Sequence, residues 1–233
     1  MKPFDLWAHE VRRAGPAALA GPPALVLLMT LLAILGARLG SREPTTAFML
    51  AGSLEMLIPL ITGMAAASSL GRDQAVELQL TLPVGYRSTV LRRLAVTAGW
   101  TGLCAAAGSA VPALGGWWAL VPGAPNGLAV QLTWLAPALW LAALGLLASA
   151  AFGSAVAATT TVALVWVAEQ VVAGPLQASF PSRLLYLFAT TRGTVPGDWT
   201  ANRVVLLSTA VLLVAAAWPL LGRAERVLGG EKE

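Results

Sequence analysis

From Val130 to Val172 the chain carries no lysine and no arginine. As one helix that stretch would be roughly 60 Å long, about twice the hydrocarbon thickness of a bilayer, so it must cross apolar surroundings and turn back. Phe152-Gly153-Ser154 is the natural place for the turn. The same reading applied to the whole chain finds six apolar runs, at about 17–39, 47–70, 94–115, 130–151, 155–176 and 203–222. With 57% hydrophobic and 11% charged residues, the chain departs far from ordinary soluble domains, where charge reaches about 25%. It reads as an all-α membrane protein forming one transmembrane domain over residues 1–233. Lipid cannot satisfy a backbone, so each run has to be helical. Pro22, Pro23, Pro59, Pro112 and Pro137 fall inside or near the starts of runs and predict kinks, with neighbouring helices supplying donors to the freed carbonyls.

The basic residues sit at the ends of the runs and set a topology. With the N-terminus in the cytoplasm, Lys2, Arg12, Arg13, Arg72, Arg87, Arg92, Arg93, Arg223, Arg226 and Lys232 lie inside, and Arg38, Arg42, Arg183, Arg192 and Arg203 outside. An even number of spans returns the C-terminus to the cytoplasm. Trp117, Trp118, Trp134 and Trp199 flank the outer loops, as interface-seeking indoles do. Residues 17–39 read as a retained span, because Gly36-Ala37-Arg38 is a poor cleavage site. Ahead of it, residues 1–16 hold a short amphipathic interface helix, with Phe4, Trp7 and Val11 on one face and Asp5, Glu10, Arg12 and Arg13 elsewhere. His9 belongs to its solvated surface. Because the basic residues form no patch, nucleic acid is not an expected partner.

Much chemistry is excluded by what the sequence lacks. Lys2 and Lys232 are the only lysines, and neither follows a Gly-x-x-x-x-Gly pattern, so this chain has no phosphate loop of its own. The lone histidine rules out a His-containing triad or a His pair. Neither a His/Cys/Asp/Glu cluster at metal-ligand spacing nor a Gly-x-Ser-x-Gly elbow is present. Cys104 lies inside an apolar run and reads as a small buried hydrophobe. The chain is therefore not expected to be an enzyme, to carry a metal or to bind a cofactor itself.

Three places stand out against this background. The segment 71–93, GRDQAVELQLTLPVGYRSTVLRR, is one long polar interruption between the second and third runs. Gly71 and Pro83 bracket a helix of about ten residues, too short to be stable alone and suited to a groove on a partner. Glu55 and Glu169 lie within runs, roughly 10–12 Å from their outer ends; a carboxylate there costs several kcal/mol unless it is paired or faces water. They mark a substrate pathway together with Gln170, or else serve as interhelical hydrogen-bond glue, with Arg38 and Arg203 as candidate counter-ions. The outer segment 177–202 is long for a turn, and its apolar stretch Leu184 to Phe188 predicts a short helix dipping back among the spans. Span three, with Ala105 to Ala110, presents small residues for close packing, and Gly36-x-x-x-Gly40 is a weak association motif.

The order of an amphipathic N-terminal helix, two spans, the segment Gly71-Arg72-Asp73…Glu77-Leu78…Leu80-Thr81-Leu82-Pro83-Val84…Arg87, four further spans and a long outer segment resembles the type 2 permease subunits of ATP-binding-cassette transporters, as does the closing stretch Trp199…Asn202-Arg203, an apolar span and Arg223…Glu225-Arg226-Val227-Leu228. Gly85-Tyr86 stands where that family more often has Ser-Arg. The resemblance spans the chain in layout and about 17 residues in motif. It implies that 71–93 is a cytoplasmic coupling helix docking on a separate ATPase subunit, which binds ATP and Mg²⁺. Arg72, Asp73, Glu77, Leu78, Leu80, Leu82, Pro83, Tyr86 and Arg87 would make that contact. It also implies a second permease copy or a homologous partner in the cell membrane, and a re-entrant outer lid with Leu184, Tyr186 and Phe188 before span six. The competing expectation is a polytopic scaffold or assembly factor that transports nothing.

Overall fold

The computed structural model describes residue 7 and residues 10–12, 15–69 and 86–221. Arg72, Asp73, Glu77, Leu78, Leu80, Leu82 and Pro83 lie outside the described residues, as does most of the 1–16 helix. Within the described residues the chain is helical throughout, without strands. Eight α-helices follow one another: α1 Gly15–Arg38, α2 Glu43–Ser68, α3 Tyr86–Leu114, α4 Leu132–Phe152, α5 Ala155–Val171, α6 Ala173–Ala178, α7 Phe180–Leu185 and α8 Trp199–Leu220. Single 3₁₀ turns stand at Trp117–Leu120, Gly127–Gln131 and Pro196–Asp198.

Helices α1, α2, α3, α4 and α8 are long and apolar enough to cross a membrane. The fifth run is shorter than its sequence suggests. Its helix α5 has 17 residues, about 25 Å, and breaks at Val172, so that residues 173–178 form the separate helix α6. Between α4 and α5 the chain turns at Phe152-Gly153-Ser154. Gly153 takes φ +65°, a left-handed conformation that favours glycine, and donates its N–H to the Ser149 carbonyl. Ser154 caps α5 by accepting from the Ala157 N–H at 3.4 Å.

Helix α2 is the centre of the bundle, packed by α1, α3, α4 and α5. It meets α4 at two glycines. A Cβ on Gly145 would lie 2.5 Å from the Gly63 carbonyl oxygen, and one on Gly63 would lie 2.9 Å from both Leu141 and Val162. Two backbones thus approach more closely than any larger residue permits, the small-residue packing expected where apolar surroundings supply no hydrophobic drive. Span three plays a lesser part: Gly108 accommodates Val26 of α1, and Ala105 is fully buried. Gly40, at φ +90°, forms the turn after α1. At the periphery α1 exposes Leu27, Leu28, Leu31 and Leu32 by half or more. In a membrane protein, that is a face for acyl chains or another apolar helix.

The prolines stay inside continuous helices, and tryptophans from neighbouring segments serve the carbonyls around them. Pro23 leaves the Leu19 carbonyl without its helical donor, and the Trp100 indole of α3 donates to it at 2.7 Å. One turn before Pro59, Met56 accepts from Trp166 of α5 at 2.9 Å. One turn before Pro112, Ser109 accepts from Trp118 at 3.3 Å. The expected belt of interfacial indoles is accordingly revised. Trp118, Trp134 and Trp199 are buried, and their N–H groups are used inside the protein.

A candidate functional site built around a buried turn

Helix α7 ends at Leu185, and Tyr186 takes an extended conformation at φ −67° and ψ 122°. Sequence patterning predicts a helix running to Phe188, whereas residues 187–191 form turns. They are nonetheless among the most buried of the chain: Tyr186, Leu187 and Phe188 are 1% exposed or less. Phe188 packs edge-on against Tyr186 and Trp166, with ring centroids 5.8 and 6.2 Å away. The turn reaches the level of Glu55 on α2, twelve positions past Glu43 and therefore about 18 Å along that helix. Backbone that leaves helical geometry at such depth must find its hydrogen bonds inside the protein.

Side chains from three helices provide them. Both oxygens of Glu55, which is fully buried, are engaged. Oε1 accepts from the Thr190 N–H at 2.8 Å; Oε2 accepts from the Thr191 N–H at 2.8 Å and the Thr191 hydroxyl at 2.6 Å. The Arg203 guanidinium of α8 donates to Glu55 Oε1, to the Leu187 carbonyl at 3.0 Å and to Thr190 Oγ1 at 2.7 Å. Trp199 donates to the same threonine at 2.9 Å and stacks beneath the guanidinium, 5.4 Å from ring centre to Cζ. Asn202 donates to the carbonyls of Arg183, Leu184 and Tyr186 at 2.9, 3.1 and 2.8 Å. From α5, Glu169 accepts the Leu187 N–H at 3.1 Å. Gln177 of α6 accepts the Thr194 N–H at 2.8 Å, and an Arg183–Asp198 ion pair at 3.0 Å closes the edge.

The two carboxylates singled out from sequence thus meet on one segment. Glu55 does so with both oxygens paired. It faces protein throughout, and its counter-ion is Arg203 rather than Arg38, which is exposed. Glu169 is only half-buried and holds a single backbone contact. Gln170 does not join the network; its amide nitrogen is buried without a partner. Leu184 and Tyr186 each contribute a carbonyl, and Tyr186 and Phe188 contribute burial. Thr190 and Thr191 carry no signal in the sequence, while Trp199 and Asn202 stand out there as an outer-loop indole and as part of the closing stretch rather than as partners of this turn. The adjacent Asn202-Arg203 pair near the start of an apolar run is the local signal that marks the site.

Chemically, the arrangement is a clamp. Charge-assisted bonds in a desolvated place are strong and directional, and this ion pair also satisfies two backbone N–H groups and one carbonyl. Among the described residues no group of three or more His, Cys, Asp or Glu is placed to hold a metal ion. No protein-family model, curated protein or solved structure matches the chain.

Proposed function

We propose that this chain is the transmembrane permease subunit of an ATP-driven exporter, with six spans, both termini in the cytoplasm and a location in the cell membrane. A separate ATPase subunit binds ATP and Mg²⁺, docks on the segment 71–93 and supplies the work. A second permease copy or a homologous chain completes the pathway within the lipid bilayer. The sequence resemblance supplies the family; the position of α2 is the observation that best supports the mechanism. One continuous helix carries Glu55, bonded to the re-entrant turn, and ends at Ser68, just before the segment 71–93. A rigid helix joining the two passes displacement at the ATPase side to the clamp on the outer side. Loosening the clamp frees residues 187–191 and opens the outer end, so those residues act as the gate, with Leu184, Tyr186 and Phe188 as its apolar body. In this reading Glu55 is a gate-holding residue, and half-buried Glu169 is the carboxylate left to meet substrate.

The test is co-purification in detergent with a soluble ATPase bearing a phosphate loop. Leu82→Asp places a charge in the docking face and is expected to abolish association, and Glu77→Ala to weaken it, with the fold intact by circular dichroism. Undiminished association with unchanged ATP turnover in Leu82→Asp overturns the docking role and favours the scaffold.

A further inference from the structure

Another ion pair lies far from the clamp, and it ties together three parts of the chain. Arg93, in the second turn of α3, donates from Nε to Glu10 Oε2 at 3.2 Å and from Nη1 to the Ser69 carbonyl at 2.7 Å. Ser69 caps the end of α2, where helix carbonyls lack donors and the dipole is negative, so a guanidinium fits there in both charge and hydrogen bonding. Glu10 belongs to the N-terminal helix, where sequence patterning puts it on a solvated face. Instead it is 4% exposed, while Trp7 and Val11 of the same stretch are 44% and 41% exposed. The acid points into the bundle and the apolar side chains point away. A carboxylate turns inward in this way only when its partner offsets the loss of water.

We propose that Arg93 is a positioning residue that locks the N-terminal helix and the two helix ends flanking residues 70–85 into one junction. Its planar fork spans two acceptors at once, which lysine's single ammonium group does less well. Three consequences follow from the geometry. The end of α2 and the start of α3 keep a fixed separation. The N-terminal helix, with Trp7 and Val11 turned outward, follows them. Any movement imposed on the intervening segment is shared with a helix lying at the membrane surface. The junction belongs to this chain alone; only its use in coupling rests on the exporter reading.

Spin-label distances in the full chain, reconstituted in vesicles with Cys104→Ala as background, test it. One label pair, Val11→Cys with Ala95→Cys, reports the N-terminal helix against α3. A second, Met64→Cys with Ala95→Cys, reports α2 against α3. Arg93→Ala is expected to broaden both distance distributions about twofold or more, as local opening does, and Glu10→Ala only the first. Exchanging the charges, Glu10→Arg with Arg93→Glu, should narrow the first again but not the second, because glutamate has no donor for the Ser69 carbonyl. Arg93→Lys should keep the first narrow and broaden the second, which preserves the test if Arg93→Ala does not fold. Distributions that stay at wild-type width in Arg93→Lys and Glu10→Ala overturn the proposal, as does a charge exchange that narrows neither. These distances do not depend on ATPase binding, so they fail or succeed independently of the Leu82→Asp experiment.

Discussion

Glu55 and Glu10 are both carboxylates paired with an arginine of a distant helix, yet they are held to different degrees. Glu55 receives two backbone N–H groups, a hydroxyl and the Arg203 guanidinium, and the two side chains are 0% and 1% exposed. Glu10 receives the Arg93 guanidinium, with side-chain exposures of 5% and 13%. The first pair substitutes for secondary structure: without it, the N–H groups of Thr190 and Thr191 and the Leu187 carbonyl lose the partners the clamp gives them. The second joins helices that already satisfy most of their own backbone. A buried ion pair is therefore not simply an expensive way of joining two helices; its worth depends on what else it completes. Here the costlier pair sits where the chain leaves helical geometry.

The sharpest attempt to break this contrast is Arg203→Met. It leaves Glu55 buried without its counter-charge and the Leu187 carbonyl without its donor, and should cost about 3–5 kcal/mol, read as a large fall in thermal unfolding midpoint in detergent. Restoring neutrality with Glu55→Met in the same chain should recover little, because two N–H groups then lose their acceptor, at about 1–3 kcal/mol each. Full recovery would show that the pair does not serve the turn. Next in size is Gly145→Val, which forces α4 away from the Gly63 carbonyl and should cost about 1–3 kcal/mol. A wild-type midpoint there would mean that the α2–α4 crossing is loose, and that α2 cannot pass movement as one rigid element. The smallest effect belongs to Glu169→Gln. The amide oxygen still accepts from Leu187, so stability should change by about 1 kcal/mol or less, while substrate-stimulated ATP turnover in the reconstituted complex changes. A loss as large as that of Arg203→Met would make Glu169 a second clamp rather than a pathway residue.

Much of this could be read in advance where the physics is local. Apolar length marks the long helices, and Gly153 beside Ser154 marks a turn because one adopts a left-handed backbone and the other caps a helix. Glu55 and Glu169 drew notice because a charge among apolar residues is costly wherever it sits. The failures share another cause. Trp118, Trp134 and Trp199 flank loops and resemble interface anchors, but an indole N–H goes to the nearest unmet acceptor, which packing decides. Glu10 looks solvated in a helical wheel, but Arg93 lies 83 positions away. The turn at Tyr186 interrupts a stretch whose composition suits a helix, because acceptors and donors on α2, α5 and α8 compensate the backbone for leaving it.

Sequence alone determined that the chain must bury its backbone in helices, roughly where the apolar runs lie, and that two carboxylates inside them needed an explanation. Those conclusions follow from transfer costs, which each residue carries wherever the chain places it. Only the tertiary structure decided which arginine answers which acid, that Glu55 and Glu169 both bond to one turn, and that glycines let α2 and α4 cross closely. Pairing across 148 positions, as between Glu55 and Arg203, depends on how helices pack, and no local pattern encodes it.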